Sequence, residues 1–262
     1  LSSDTHAAWQ VLHGILAYGA NFPLSTPEGT SSALDYLLTG GTLRGWTLEE
    51  GDQLPGGDVG LRAIVEPGGY FGQGHADQWL AILSQCNLSA EDTIAVQGKL
   101  YPLKSFVAQV QLDAPYNHDD EWSWTLIGLT QYLPTDSSWT AGDGRKWSIE
   151  DLVAREVSQE INSSTCGGTH RLIGMAMALE RRRAEGKSLD GVWSRANQTL
   201  QQAVQLARQY QNADGSFSSN YFGRTGIAAD NATLLSTTGH TLEFLALTLS
   251  PEELQEPWVQ RA

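Results

Sequence analysis

The run THRLIGMAMALERRR, Thr169–Arg183, is apolar on most of its circumference before it closes on three arginines. A helix with one wet side carries a broad polar stripe. This run carries none, so it is predicted to be a buried helix. Gly174 and the alanines that follow it let a neighbouring helix approach closely. Four further stretches share this character: LHGILAYG from Leu12, HADQWLAILSQ from His75, DEWSWTLIGLTQYL from Asp120 and GHTLEFLALTL from Gly239. Between them lie amphipathic segments: SSALDYLLTGG (Ser31–Gly41), PLKSFVAQVQLDA (Pro102–Ala114), SIEDLVAREVSQEI (Ser148–Ile161) and SRANQTLQQAVQLARQYQ (Ser194–Gln211). The last two place apolar residues at i, i+3 and i+4, with a serine near the N-cap.

The order is therefore buried helix, then amphipathic helix, repeated about four times. Repeated helix pairs make a solenoid or a ring. Variable loop lengths and an inner set far more apolar than the outer favour the ring. The expected fold is all-α: an α/α toroid of about five to six inner and outer helix pairs with long glycine-rich loops. Its loops include LPGGDVG (Leu54–Gly60) and VEPGGYFGQG (Val65–Gly74). The one strand signal is TIAVQGKLY (Thr93–Tyr101), read as a local hairpin. No linker is long or polar enough to divide residues 1–262, so a single domain is expected.

The segment LARQYQNADGSF (Leu206–Phe217), followed by LLSTTGHTLEFLALTL (Leu234–Leu249), is more specific. It resembles the repeat of the terpenoid-cyclase and protein-prenyltransferase-like toroids, in which an outer helix ends in a Gln…Asp-Gly-aromatic turn. The match covers about 45 residues, and the helix order extends it loosely over the chain. In such a turn Gln caps backbone groups, Gly takes a positive φ and the aromatic ring packs on the next pair. The resemblance implies a toroid of bacterial type. It does not carry an activity. HDDEW (His118–Trp122) departs from the cyclases' Asp-x-Asp-Asp. CGGTH lacks the glutamine of the thioester domains. Ser164 stands where the prenyltransferases' zinc-site spacing would want Asp.

Composition narrows the function classes. The chain has 262 residues, 40% hydrophobic content and a formal net charge of −14. It is long and apolar enough for a full core. The acidic balance argues against nucleic acid, whose phosphates need a basic face, and against anionic membrane surfaces. No apolar run approaches the roughly 20 residues that span a bilayer. The chain opens on Leu1, which reads as a processed or excised fragment. It carries N-x-S/T sequons at Asn87, Asn162, Asn197 and Asn231. A periplasmic or secreted location is expected. Cys86 and Cys166 either pair in one disulfide or remain thiols.

Histidine placement points to a site. His13, His75, His118, His170 and His240 each lie at or just before one of the five putative inner helices. In a toroid those helix starts share one mouth. Gln78, Glu121 and Glu243 follow His75, His118 and His240 by three residues, which is the same helix face. The expected catalytic groups are His75, His118, Glu121, His170, His240 and Glu243, with His13, Gln78, Trp79 and Trp124 contacting substrate. Cys166, His170 and His240 are the candidate zinc ligands, since thiolate and imidazole suit that ion. The expected function is an enzyme using acid/base or zinc-assisted chemistry on a small-molecule, glycan or peptide ligand in the central cavity. The alternative is a non-catalytic domain that binds a glycan, peptide or lipid within a larger secreted protein.

Overall fold

The computed structural model describes residues 1–67 and 74–262. The described chain divides into two compact units. One comprises Leu1–Asn117 with Gln131–Leu133 and Trp139–Trp147; the other comprises His118–Thr130, Pro134–Ser138 and Ser148–Ala262.

The first unit begins with α1 (Ala8–Tyr18), which buries Val11, Leu12 and Ile15. β1 (Pro23–Thr26) and β2 (Gly29–Ser32) form an antiparallel hairpin. β2 runs straight into α2 (Ala33–Leu38): its last residue, Ser32, is the N-cap, and Ser32 Oγ accepts from Asp35 N at 3.2 Å. This side-chain cap satisfies one of the helix's orphan amides. β3 (Trp46–Gln53) and β4 (Val59–Val65) pair across a bulge between Glu50 and Gln53. α3 (Ala76–Ser84) is buried along Asp77–Ser84. β5 (Thr93–Val96) and β6 (Lys99–Pro102) form another hairpin, again delivering an N-cap, Pro102, to α4 (Leu103–Asp113). The turn residues Gln97 (φ 51°) and Gly98 (φ 78°) are both left-handed, the twist that suits a two-residue hairpin. α3 and α4 both pack on β4. On the outer side Arg62 donates to both oxygens of Asp113 (2.8 and 2.7 Å) and to Asp52 (2.7 Å), while Gln109 accepts from Asp52 N (2.8 Å).

The second unit holds most of α5 (Trp122–Tyr132). β7 (Ser138–Thr140) and β8 (Lys146–Ser148) make the fourth two-stranded sheet, most of whose residues fall within Trp139–Trp147 of the first unit. α6 (Ile149–Ser158) starts at Ser148, whose Oγ accepts from Asp151 N at 3.1 Å, as the N-cap reading requires. α7 (Thr169–Ala184) packs against α6, α8 (Gly191–Tyr210) and α9 (Asn231–Thr248). A Cβ at Gly174 would lie 3.2 Å from Ser123 O, so α5 crosses α7 at a point where only glycine fits comfortably. After α8 the chain turns on Gln211, whose amide donates to Gly215 O and Trp258 O, both at 2.7 Å. Gly215 takes φ 99°, and Phe217 sits edge-on to Trp258.

Among the described residues, each of the nine stretches marked by the amphipathic and apolar patterns carries a helix, with shifted ends: α8 starts at Gly191 rather than Ser194, and α9 at Asn231 rather than Gly239. The all-α toroid of five to six inner and outer helix pairs, a purely helical repeat, is overturned. The fold is mixed α/β, with four two-stranded sheets among the described residues. The strands were hidden because most are three to four residues long and polar on much of their surface. Period-2 alternation needs longer runs to show. LPGGDVG (Leu54–Gly60) forms the β3–β4 turn, with Gly56 and Gly57 at positive φ. Of VEPGGYFGQG, residues 68–73 lie outside the described residues. Among those described, no helix is long and apolar enough to cross a membrane.

Candidate functional site

The second unit gathers a set of reactive side chains around STCGGTH. Ile161–Ser163 and Thr165–Gly168 are short 3-10 turns that lead into α7. Cys166 (φ 54°), Gly167 (φ 62°) and Gly168 (φ 84°) are successively left-handed. Gly168 is obligatory here: a Cβ would fall 1.6 Å from Ile161 O. Thr169 Oγ1 donates back to Cys166 O at 2.9 Å. This tight coil leaves the Cys166 side chain at the start of α7, one turn before His170.

Packing of α7 on α9 brings His170 against His240, with ring centroids 5.0 Å apart and nearly perpendicular. Trp124 of α5 covers His170 from another side at 4.4 Å. His240 Nδ1 lies 3.3 Å from Glu243 Oε2, one turn along α9. One donor atom each from Cys166, His170 and His240 lies within 4.8 Å of the others, and all three residues are half-buried. The cluster could hold a metal ion: one sulfur and two imidazole nitrogens suit zinc, and a tetrahedral ion would keep one position open. Glu243 supplies what a ligating imidazole ordinarily needs, a carboxylate on its other nitrogen.

The electrostatics tie the same groups together. The Cys166 side chain and then Glu243 hold the His240 imidazolium, raising its pKa to about 9 against the opposing effect of burial. Burial, followed by the neighbouring Cys166, pushes the Tyr221 phenol above its ordinary range. Cys86 is a different thiol. It belongs to the first unit, is pushed up to about 11 by burial, and donates to Ile82 O at 3.3 Å. Both cysteines are free.

A buried ion pair fixes the coil that carries Cys166. Arg171 Nε donates to Glu156 Oε2 at 2.8 Å, with both side chains about 1% exposed. Arg171 Nη1 reaches Glu160 O (2.7 Å) and Ser163 Oγ (3.0 Å), so one guanidinium clamps the segment that precedes Cys166 to the first turn of α7. Sequence reading missed this clamp. Its signal was a lone arginine on the buried register of an apolar helix, which demands a partner.

Of the residues expected to act, the structure brings together Cys166, His170, His240, Glu243 and Trp124. His118 and Glu121 stand in the turn before α5, where Glu121 N donates to His118 O at 2.9 Å, and neither belongs to the cluster. The others fall in the first unit. His13 lies within α1, its Nδ1 2.6 Å from Trp9 O. His75 is the N-cap of α3. Gln78 is buried, and Trp79 packs against Trp46 with centroids 6.0 Å apart. The helix-start rule behind the histidine reading therefore fails for His13 and His240, which sit inside their helices. His240 joins the site through α7–α9 packing. No family model matches the chain, nor does any curated protein or solved structure.

Proposed function

We propose that the chain is an enzyme whose working centre is the Cys166–His170–His240 cluster, built to hold zinc with Glu243 orienting His240. The observation that carries this reading is the mutual approach of the three donor atoms within 4.8 Å. Three protein ligands and one open position are the pattern of a catalytic rather than a structural zinc site. A zinc ion supplies Lewis-acid polarisation of a substrate oxygen. Within the chain, Cys166 and the two imidazoles bind the ion, Glu243 holds the His240 ring, and the Trp124 indole shields His170 from water. The substrate class expected is a small molecule, glycan or peptide with a polarisable oxygen.

The test is metal content. Protein incubated with excess Zn(II) and dialysed should retain about one equivalent by elemental analysis. Cys166→Ser, His170→Ala and His240→Ala should each lose it. Retention unchanged in all three variants, or no retention in the parent, removes the zinc reading.

A second reading has its own observation. Cys166 sits on a left-handed backbone with its sulfur within 4.8 Å of a His240 ring nitrogen, and His240 in turn meets Glu243. Nucleophile, base and orienting carboxylate in that order describe thiol catalysis. It requires Cys166 to be alkylated by iodoacetamide far faster than Cys86, with no change on adding chelator. Equal rates at the two cysteines would reject it.

A further inference from the structure

Four consecutive residues of β3, Trp46–Glu49, line one cavity of about 470 Å³ in the first unit. Side chains of a strand point alternately to its two faces, so a run of neighbours borders one cavity along the strand's edge. It is the outer edge, because no residue of β4 lines the cavity. The register shows what that edge carries. Glu66 N donates to Gly45 O at 2.8 Å, and the pairs Trp46↔Val65, Thr47↔Ile64 and Leu48↔Ala63 continue the same ladder. Hydrogen-bonded and non-hydrogen-bonded pairs alternate along an antiparallel ladder. Thr47 and Glu49 therefore bond inward to β4, and Leu48 turns its N–H and C=O outward. Among the described residues neither of these two groups meets a partner.

The surroundings of that edge are apolar below and acidic beside. Leu37, Leu43, Trp46, Trp79 and Val96 form a buried base, and Ala95–Gly98 form the opposite wall. Trp79 Nε1 is buried and finds no acceptor among the described residues. The loop Thr39–Leu43 lines both this cavity and an adjoining basin of about 1050 Å³. The charged residues lining the two are Asp4, Glu28, Glu49 and Glu66 against Arg44 alone.

We propose that this edge binds an extended basic peptide, which pairs its backbone with Leu48, seats one apolar side chain over the Trp46–Trp79 base, and sets lysines or arginines against Glu49 and the acidic basin. In strand addition the main-chain hydrogen bonds supply affinity, and pockets for alternate side chains supply specificity. The carboxylates favour basic flanks and reject acidic ones. A purely apolar molecule would leave both Leu48 groups and Glu49 unmet.

The test is an immobilised library of seven-residue peptides with Lys at the second and sixth positions and the others random, screened with the full chain. Peptides with Leu, Ile or Phe at the centre should be retained, and the same library with Glu in place of Lys should not. The best peptide is then titrated by fluorescence polarisation. Methylating its backbone nitrogens one at a time should weaken binding at least about fivefold, and at alternate positions only, as the loss of one paired hydrogen bond requires. Leu48→Pro deletes the outward N–H at a position where an edge strand tolerates proline. It should weaken binding at least about fivefold with the melting temperature kept within about 5 °C. If that variant does not fold, the methylation scan decides. No retention of the Lys library, equal retention of the Glu library, or a scan without alternation overturns the proposal. Sedimentation of the chain alone should give a monomer. A dimer that Leu48→Pro dissolves assigns the edge to a second copy and also overturns it.

Discussion

Each compact unit contains an arginine clasped by carboxylates, and the two are placed in opposite surroundings. In the first unit Arg62, Asp52 and Asp113 have side chains 37%, 53% and 22% exposed, and they brace the β3–β4 hairpin to α4 from outside. In the second, Arg171 and Glu156 are about 1% exposed, and the arginine spends its remaining donors on the coil before Cys166. Water screens the first set, so each pair contributes little. The second set has been stripped of water. Burial pushes the Glu156 carboxyl up to about 7 even though Arg171 pulls the other way. Two apolar side chains would fill the same space at lower desolvation cost. The difference teaches that the exposed network fastens two elements together, whereas the buried pair holds the coil that bears Cys166.

The sharpest way to break that comparison is to delete each arginine. Arg171→Met strands a buried carboxylate and should destabilise the second unit by about 3–5 kcal/mol, read from urea unfolding by tryptophan fluorescence. The double change Arg171→Met with Glu156→Leu should recover most of that loss. If the single variant falls by less than about 1 kcal/mol, the pair is not the clamp described. Next in size is the effect of metal. Zn(II) at a hundred times Kd should stabilise the parent by about 2.7 kcal/mol. Added hydrogen-exchange protection should appear in α7 and α9 and not in the hairpins of the first unit.

A third expectation concerns pH. Glu185 accepts from Thr135 N (3.1 Å) and from the Thr135 hydroxyl, and pairs with Lys187 (2.9 Å) and Arg181 (3.1 Å). Burial works against its charged form, and the Thr135 and Lys187 contacts together outweigh burial and hold its pKa near 2. A folded pKa below the unfolded one stabilises the fold at neutral pH, and that stabilisation is lost as pH falls from about 4.5 through about 2. Glu185→Gln should therefore lower stability at pH 7 by about 1–2 kcal/mol, discounted for the exposed Arg181. The difference from the parent should close below about pH 2. A gap that persists at that pH would contradict the assignment.

The smallest effects belong to the first unit. Gly98 has φ 78° and open space around a would-be Cβ, so Gly98→Ala should cost about 1 kcal/mol from backbone strain alone. Arg62→Met should cost less than about 1 kcal/mol, and less still in high salt. A larger loss for Arg62→Met than for Arg171→Met would invert the contrast between the units.

Helix positions were legible because they depend on local signals: the apolar faces of α3 and α7, the Ser148 cap, and the amphipathic spacing of α8. The sheets were largely illegible. β1, β2, β7 and β8 hold three or four residues each and stabilise one another only in pairs, so no single strand announces itself. Cys166, His170, His240 and Glu243 could be named as candidates from residue type and an i, i+3 spacing. The supposed logic of histidines at helix starts did not gather them. The Arg171–Glu156 clamp could not be found that way, because it matters through a partner on another helix.

By itself the sequence determined where most of the helices lie, how several of them are capped, and which side chains have chemistry to offer. Those properties reside in a residue and its neighbours within a turn or two. Only the tertiary structure decided that His240, deep inside α9, faces His170 and Cys166 at the start of α7. Such meetings depend on which helix faces are buried together and on the energy released by burying them, and no local pattern encodes that pairing.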